Sequence, residues 1–90
     1  MFSFEWDETK AEINKRKHGI SFETAAKVFL DEDRLEIYDE AHSLEEEHFI
    51  TIGRAGDLLF VVYTVRTPKI RLISARLATP KERRLYYGEF

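Results

Sequence analysis

Residues 58–66, Leu-Leu-Phe-Val-Val-Tyr-Thr-Val-Arg, are apolar on both faces of an extended chain. A half-solvated strand alternates apolar with polar side chains. A strand that does not alternate has to be covered above and below and flanked by neighbours. The run is read as the central strand of a sheet, and the rest of a 90-residue chain has to be arranged around it. Thr67-Pro68 turns the chain and Lys69 to Leu77 returns. If that turn is tight, Arg66 opposes Lys69. Thr64, Arg71, Val62 and Ile73 then share one face, and Tyr63, Leu72, Ser74 and Arg76 share the other.

The remaining segments supply the neighbours. Phe2 to Trp6 alternates with period two and reads as a short strand. Asp7 suits a helix N-cap and Gly19 a stop, which brackets a first helix. Ser21 caps a second helix, in which Phe22, Ala25, Ala26 and Phe29 form an ordinary core-facing stripe. Arg34 to Asp39 is a modest strand suited to an edge. His48 to Arg54 is another strand, and Ala55-Gly56-Asp57 is a turn. Thr79-Pro80-Lys81-Glu82 is a capping box with proline at the first helical position, and Gly88 ends that third helix. The order is βααββββα: one α+β domain over residues 1–90, with a mostly antiparallel sheet packed by helices.

The first helix does not carry the face a packing helix needs. At 100° per residue, Ile13, Lys17, Lys10, Asn14, His18 and Ala11 fall on one arc, and Glu8, Glu12, Lys15, Arg16 and Thr9 fill the other side. The arc that contains the two apolar residues is mainly polar and cationic. Burying such groups without partners costs several kcal/mol, on the order of 2–7 for a neutral one. The facing surface must either satisfy them or use them.

Composition narrows the function. The chain has no cysteine, which excludes disulfides, thiolate metal sites and a cysteine nucleophile. Three histidines lack metal-motif spacing, and no phosphate-cradling glycine loop or nucleophile elbow is present. No signal peptide or membrane-spanning run is apparent, so a cytoplasmic protein without membrane contact is expected. Net charge is −3, yet it is polarised: residues 21–50 carry ten acids and two bases, and residues 51–90 carry three acids and eight bases. One face can still attract phosphate.

The groups that remain suit phosphodiester cleavage without a metal. That reaction needs a base for the ribose 2′-OH, a cation for charge developing on phosphorus, and an acid for the leaving oxygen. Histidine titrates near neutrality, and arginine presents a planar fork to phosphate. His18, His48, Arg66, Arg76, Arg83 and Tyr86 are candidates. Each also has a purely structural reading. His18 bonds the last carbonyls of its helix, Lys10 and Lys17 snorkel past the core edge, and Arg76 pairs with Asp31 or another acid. Arg83 is solvated, Tyr86 belongs to the core, and Trp6 is a packing anchor.

Taken in order, the residues resemble the BrnT family of bacterial toxins. The resemblance rests on Phe4-Glu5-Trp6-Asp7, Lys10, Asn14, Lys17-His18-Gly19 and Ser21-Phe22 with Ala25 and Phe29. It continues through Asp39, His42-Ser43 with Glu46, Ile73-Ser74-Ala75-Arg76, Ala78, and Glu82-Arg83 with Tyr86. It implies a RelE-like fold and a type II toxin that cleaves RNA and blocks translation without a cofactor. It also implies a BrnA-like antitoxin as partner, with operator DNA bound only by the toxin–antitoxin complex. His18, His48, Arg76 and Arg83 are then the expected catalytic groups. Lys10, Lys17, Arg66 and Tyr86 are the expected RNA contacts. One departure stands out: the family usually has arginine after the acidic pair, where this chain has Glu45-Glu46-Glu47-His48. A weakened toxin retained as an antitoxin-binding co-repressor is the alternative function.

Overall fold

The computed structural model describes residues 2–89. The elements follow the expected order: β1 (Phe4–Glu5), α1 (Glu8–His18), α2 (Phe22–Ala26), β2 (Leu35–Tyr38), β3 (Phe49–Ala55), β4 (Asp57–Arg66), β5 (Lys69–Leu77) and α3 (Pro80–Tyr87). Short 3₁₀ turns at Lys27–Leu30 and Glu40–His42 complete the chain. The sheet order is β1-β5-β4-β3-β2. The strand apolar on both faces, β4, lies in the middle, and β2 forms one edge. All pairings are antiparallel except β1 with β5, which is parallel.

The helix ends follow their capping residues. The Asp7 carboxylate accepts from the Lys10 N–H at 3.0 Å, and Gly19 closes α1 at φ 73°, a conformation that favours glycine. Ser21 caps α2. The second helix is shorter than its stripe, because Lys27–Leu30 tightens into a 3₁₀ turn. That turn still buries Val28 and Phe29, so the apolar stripe is used although the α-helix ends. Thr79 and Glu82 form the expected capping box at α3, with Pro80 at its first position.

One face of the sheet packs on α2 and the 3₁₀ turn. Phe22, Ala25, Val28 and Phe29 meet Leu59, Val61, Tyr63, Leu72 and Ala75 there, with Trp6 and Ala11 at the margin. Trp6 does anchor this packing, its ring edge-on to Phe22 at 5.9 Å. Helix α3 closes part of the opposite face, where Ile52 and Leu58 are buried.

The β4–β5 hairpin corrects the expected register. Arg66 opposes Lys69, Thr64 opposes Arg71 and Tyr63 opposes Leu72, as a tight turn requires. Beyond that point the ladder shifts: Val62 opposes Ser74 and Phe60 opposes Arg76. The extra residue, Ile73, is a β-bulge, and it reverses the facing of everything after it. Ser74 and Arg76 therefore do not share a face with Tyr63 and Leu72. They lie with Val62 and Phe60, away from the packed core. Without the bulge, Arg76 would enter that core.

Candidate active site at the free edge of β5

Strand β1 pairs with β5 only at Ile70 and Arg71. Beyond that the edge of β5 is free of a strand, and α1 runs along it. Asn14 on α1 is the one buried residue of its helix. Its amide donates to the Ala75 carbonyl at 2.9 Å and to the Ile20 carbonyl at 3.0 Å, and accepts from the Ala75 N–H at 3.0 Å. The cationic arc thus divides. Asn14 is fully used in holding the edge. Lys10, Lys17 and His18, together with the exposed Ile13, line a shallow cleft of about 210 Å³ against Ile73 and Ser74 of β5. The lysines are exposed and His18 is half-buried. No hydrogen bond ties the His18 imidazole to another described residue, so it does not close its own helix end.

Arg76 lies two residues beyond Ser74 on the same face, a separation of roughly 6.6 Å along a strand. Its guanidinium lies over the Phe60 ring, Cζ to centroid 3.9 Å. Nη1 and Nη2 donate to the Glu82 carboxylate at 2.8 and 2.9 Å, and Nη1 also donates to the Leu77 carbonyl at 3.1 Å. Of the acids expected as partner, Asp31 or another, the one that pairs is Glu82. The hydrogen bonds that Arg76 donates to Glu82 push its pKa further up. The same contact is the main reason the Glu82 carboxyl titrates below its usual range.

The other expected site residues lie elsewhere. His48 and Arg66 line a separate cleft of about 630 Å³ with Ala41, His42, Leu44, Glu45 and Glu46. Arg66 pairs there with Glu46 at 3.3 Å. His48 immediately precedes β3, and β4 lies between it and β5. The two histidines therefore line different clefts, His18 beside β5 and His48 at the start of β3. Arg83 is exposed on α3, with its guanidinium 5.7 Å from the Tyr87 ring centroid.

Tyr86 is committed to structure. Its hydroxyl donates to Asp31 at 2.6 Å, and this bond is the main reason the phenol titrates above its ordinary value. Asp31 also accepts from the Arg54 N–H at 2.8 Å and from the Asp33 N–H at 2.9 Å. This cluster seats α3 on the end of the sheet. Arg54 reinforces it by donating to the Tyr87 hydroxyl.

Three features were not read from the sequence. Asn14 was singled out as an anomaly, but its partner is 61 residues away. Glu82 was read as a helix cap only, although its spacing of six from an arginine was visible. Phe60 is one apolar residue of a run apolar on both faces, and the bulge that brings Arg76 over it leaves no sequence signature.

The polarity of the charge pattern carries into space. Glu36, Asp39 and Glu40 lie on and beside β2, at one edge of the sheet. Lys69, Arg71 and Arg76 lie on β5, with Lys10 and Lys17 beside it. No helix among the described residues is long and apolar enough to cross a membrane.

A family model described as the ribonuclease toxin BrnT of type II toxin–antitoxin systems matches residues 6–82. Among solved structures, the fold is similar to the Brucella abortus ribonuclease toxin BrnT, with a TM-score of 0.69 and 24% sequence identity. That similarity covers 88% of this chain and 99% of the Brucella chain. No curated protein sequence matches.

Proposed function

The chain belongs to the BrnT family of ribonuclease toxins of type II toxin–antitoxin systems, and from that membership we propose that it is a metal-independent endoribonuclease whose RNA substrate crosses the free edge of β5. The observation that carries this reading is the cleft lined by Lys10, Lys17 and His18, which opens beside Ser74 two residues from Arg76. Three cationic or titratable groups and an arginine fork on one strand edge suit a phosphodiester backbone.

The reaction is an internal transfer at phosphorus. The ribose 2′-oxygen loses its proton to a base and bonds to phosphorus. The bond from phosphorus to the 5′-oxygen breaks, and that oxygen takes a proton from an acid. The products are a 2′,3′-cyclic phosphate and a 5′-hydroxyl. His18 is the proton-transfer group at this edge. Arg76 holds the reacting phosphate and stabilises its developing charge. Lys10 and Lys17 hold the strand on one side of it, and Arg83 on α3 is a further phosphate contact. His48 and Arg66 contact RNA in their own cleft, away from the reacting bond. The toxin blocks translation in this way, and a BrnA-like antitoxin neutralises it. Operator DNA is bound only by the pair.

Incubating the purified chain with RNA in excess EDTA tests the reading. The expected result is cleavage to cyclic-phosphate ends, slowed by about 10²–10³-fold but still measurable in Arg76→Ala. Folded protein that leaves RNA intact overturns it. The segregation of His18 from His48 favours one rival, a co-repressor that binds antitoxin without cleaving RNA. Growth arrest on induced expression decides between them, since a co-repressor causes none.

A further inference from the structure

We propose that Glu82 is the positioning residue for Arg76, orienting its guanidinium so that one pair of parallel donors, Nε–H and the outer Nη2–H, is preset for two oxygens of a phosphodiester. This inference rests on the proposed ribonuclease site and assigns a role to a residue outside it.

A guanidinium has five N–H donors in a fixed plane. Glu82 takes two of them, one from each Nη, across the end of the group. The Leu77 carbonyl takes a third, the outer N–H of Nη1. Two remain, and no described residue accepts from either. The end-on carboxylate leaves them adjacent on one side of the plane, the geometry a phosphate accepts in bidentate form. The Phe60 ring at 3.9 Å fixes the plane from below. The Arg76 side chain is 34% exposed, whereas Glu82 is only 16% exposed. Glu82 is itself held by the Thr79 N–H at 2.8 Å. The first turn of α3 is thus a rigid mount for the arginine.

Charge and orientation make opposite demands here. Glu82 cancels much of the positive charge of Arg76, so simple attraction predicts that removing the carboxylate strengthens RNA binding. Positioning predicts that it slows the chemical step. The two effects separate cleanly in binding and turnover.

Glu82→Gln keeps an amide oxygen for the Thr79 N–H but turns one acceptor against Arg76 into a donor. The expected result is a fall in kcat of about 10²-fold, with affinity for a 2′-O-methyl RNA unchanged or tighter. In the Arg76→Ala background the same change costs nothing further, because the group being positioned is gone. Thr79→Ala weakens the helix cap and leaves the carboxylate pair intact, and it keeps its kcat. A loss in Thr79→Ala equal to that in Glu82→Gln assigns the effect to α3 stability and overturns the proposal. So do an unchanged kcat in Glu82→Gln, or losses that multiply in the double variant. A second measurement is independent of cleavage. The Arg76 Nε–H resonance of the wild-type protein shifts on titration with dimethyl phosphate, and in Glu82→Gln it does not. An unmoved wild-type resonance overturns the positioning role. A shift without any RNA cleavage overturns the ribonuclease reading alone.

Discussion

The side-chain amide of Asn14 and the peptide of Ala75 exchange two hydrogen bonds, at 2.9 and 3.0 Å, across the free edge of β5. An amide here does what a neighbouring strand would do: it satisfies one backbone N–H and one C=O. It also fixes α1 against the sheet, and with it Lys10, Lys17 and His18. Asn14→Ala leaves the Ala75 N–H and C=O without partners. Its expected cost is about 2–3 kcal/mol, read as a lower denaturation midpoint with an unchanged m-value. Asn14→Asp is expected to be worse, because a carboxylate cannot donate to the Ala75 and Ile20 carbonyls and is buried with a charge.

Gly53 is needed for space. A Cβ built there would sit 3.1 Å from Val28 Cβ and 3.2 Å from both Arg34 Cβ and the Val28 carbonyl oxygen. The 3₁₀ turn lies directly on β3 at this point, and backbone and Cβ atoms have little room to give. Gly53→Ala is expected to destabilise the fold by roughly 1–3 kcal/mol through overpacking. Thermal unfolding followed by circular dichroism measures it, and an unchanged midpoint would show that the turn shifts freely.

The caps and the central strand were legible because their causes are local. Asp7, Ser21 and Thr79 with Pro80 and Glu82 each act within one turn of their own helix, and β4 shows its burial in its own composition. The bulge at Ile73 was not legible. Both registers of the hairpin satisfy the turn at Thr67-Pro68, and only packing against α1 and α2 selects the one that turns Arg76 outward. The candidate site was legible in part for the same reason. Lys10, Lys17 and His18 share a helix face, so their proximity follows from spacing. His18 and His48 come from different elements, and no spacing rule indicates that β4 separates them.

Acid should release α3 before it unfolds the sheet. Two carboxylates hold this helix, and both titrate below their ordinary values. Glu82 does so chiefly through hydrogen bonds from Arg76. For Asp31, burial acts upward and is outweighed by hydrogen bonds from Tyr86 and from the Arg54 and Asp33 backbone. A carboxyl whose pKa is lower folded than unfolded stabilises fully above its unfolded value, near 4. That contribution is lost as pH falls through the folded value. Hydrogen exchange of α3 amides is therefore expected to accelerate, relative to β4, below about pH 4. Asp31→Asn is expected to flatten that pH dependence and to raise exchange at neutral pH. Uniform loss of protection across α3 and β4 would refute a separate docking step.

The two histidines should differ in kind. His18 lines the cleft beside Ser74, whereas His48 lies beyond β4 with Arg66 and three glutamates nearby. His18→Ala is expected to lower kcat for RNA cleavage by about 10²–10⁴-fold, the range for a lost proton-transfer group. On the proposed RNA path His48 lies away from the reacting bond, so His48→Ala should change kcat less than tenfold. His48→Arg adds a permanent charge to the second cleft. It should tighten binding of 2′-O-methyl RNA and steepen its salt dependence by about 0.7 in the log–log slope for a single strand, with kcat unchanged. A rise in kcat for His48→Arg would instead place the second cleft at the reacting phosphate. The strand path would then have to run across β4 rather than along the edge of β5.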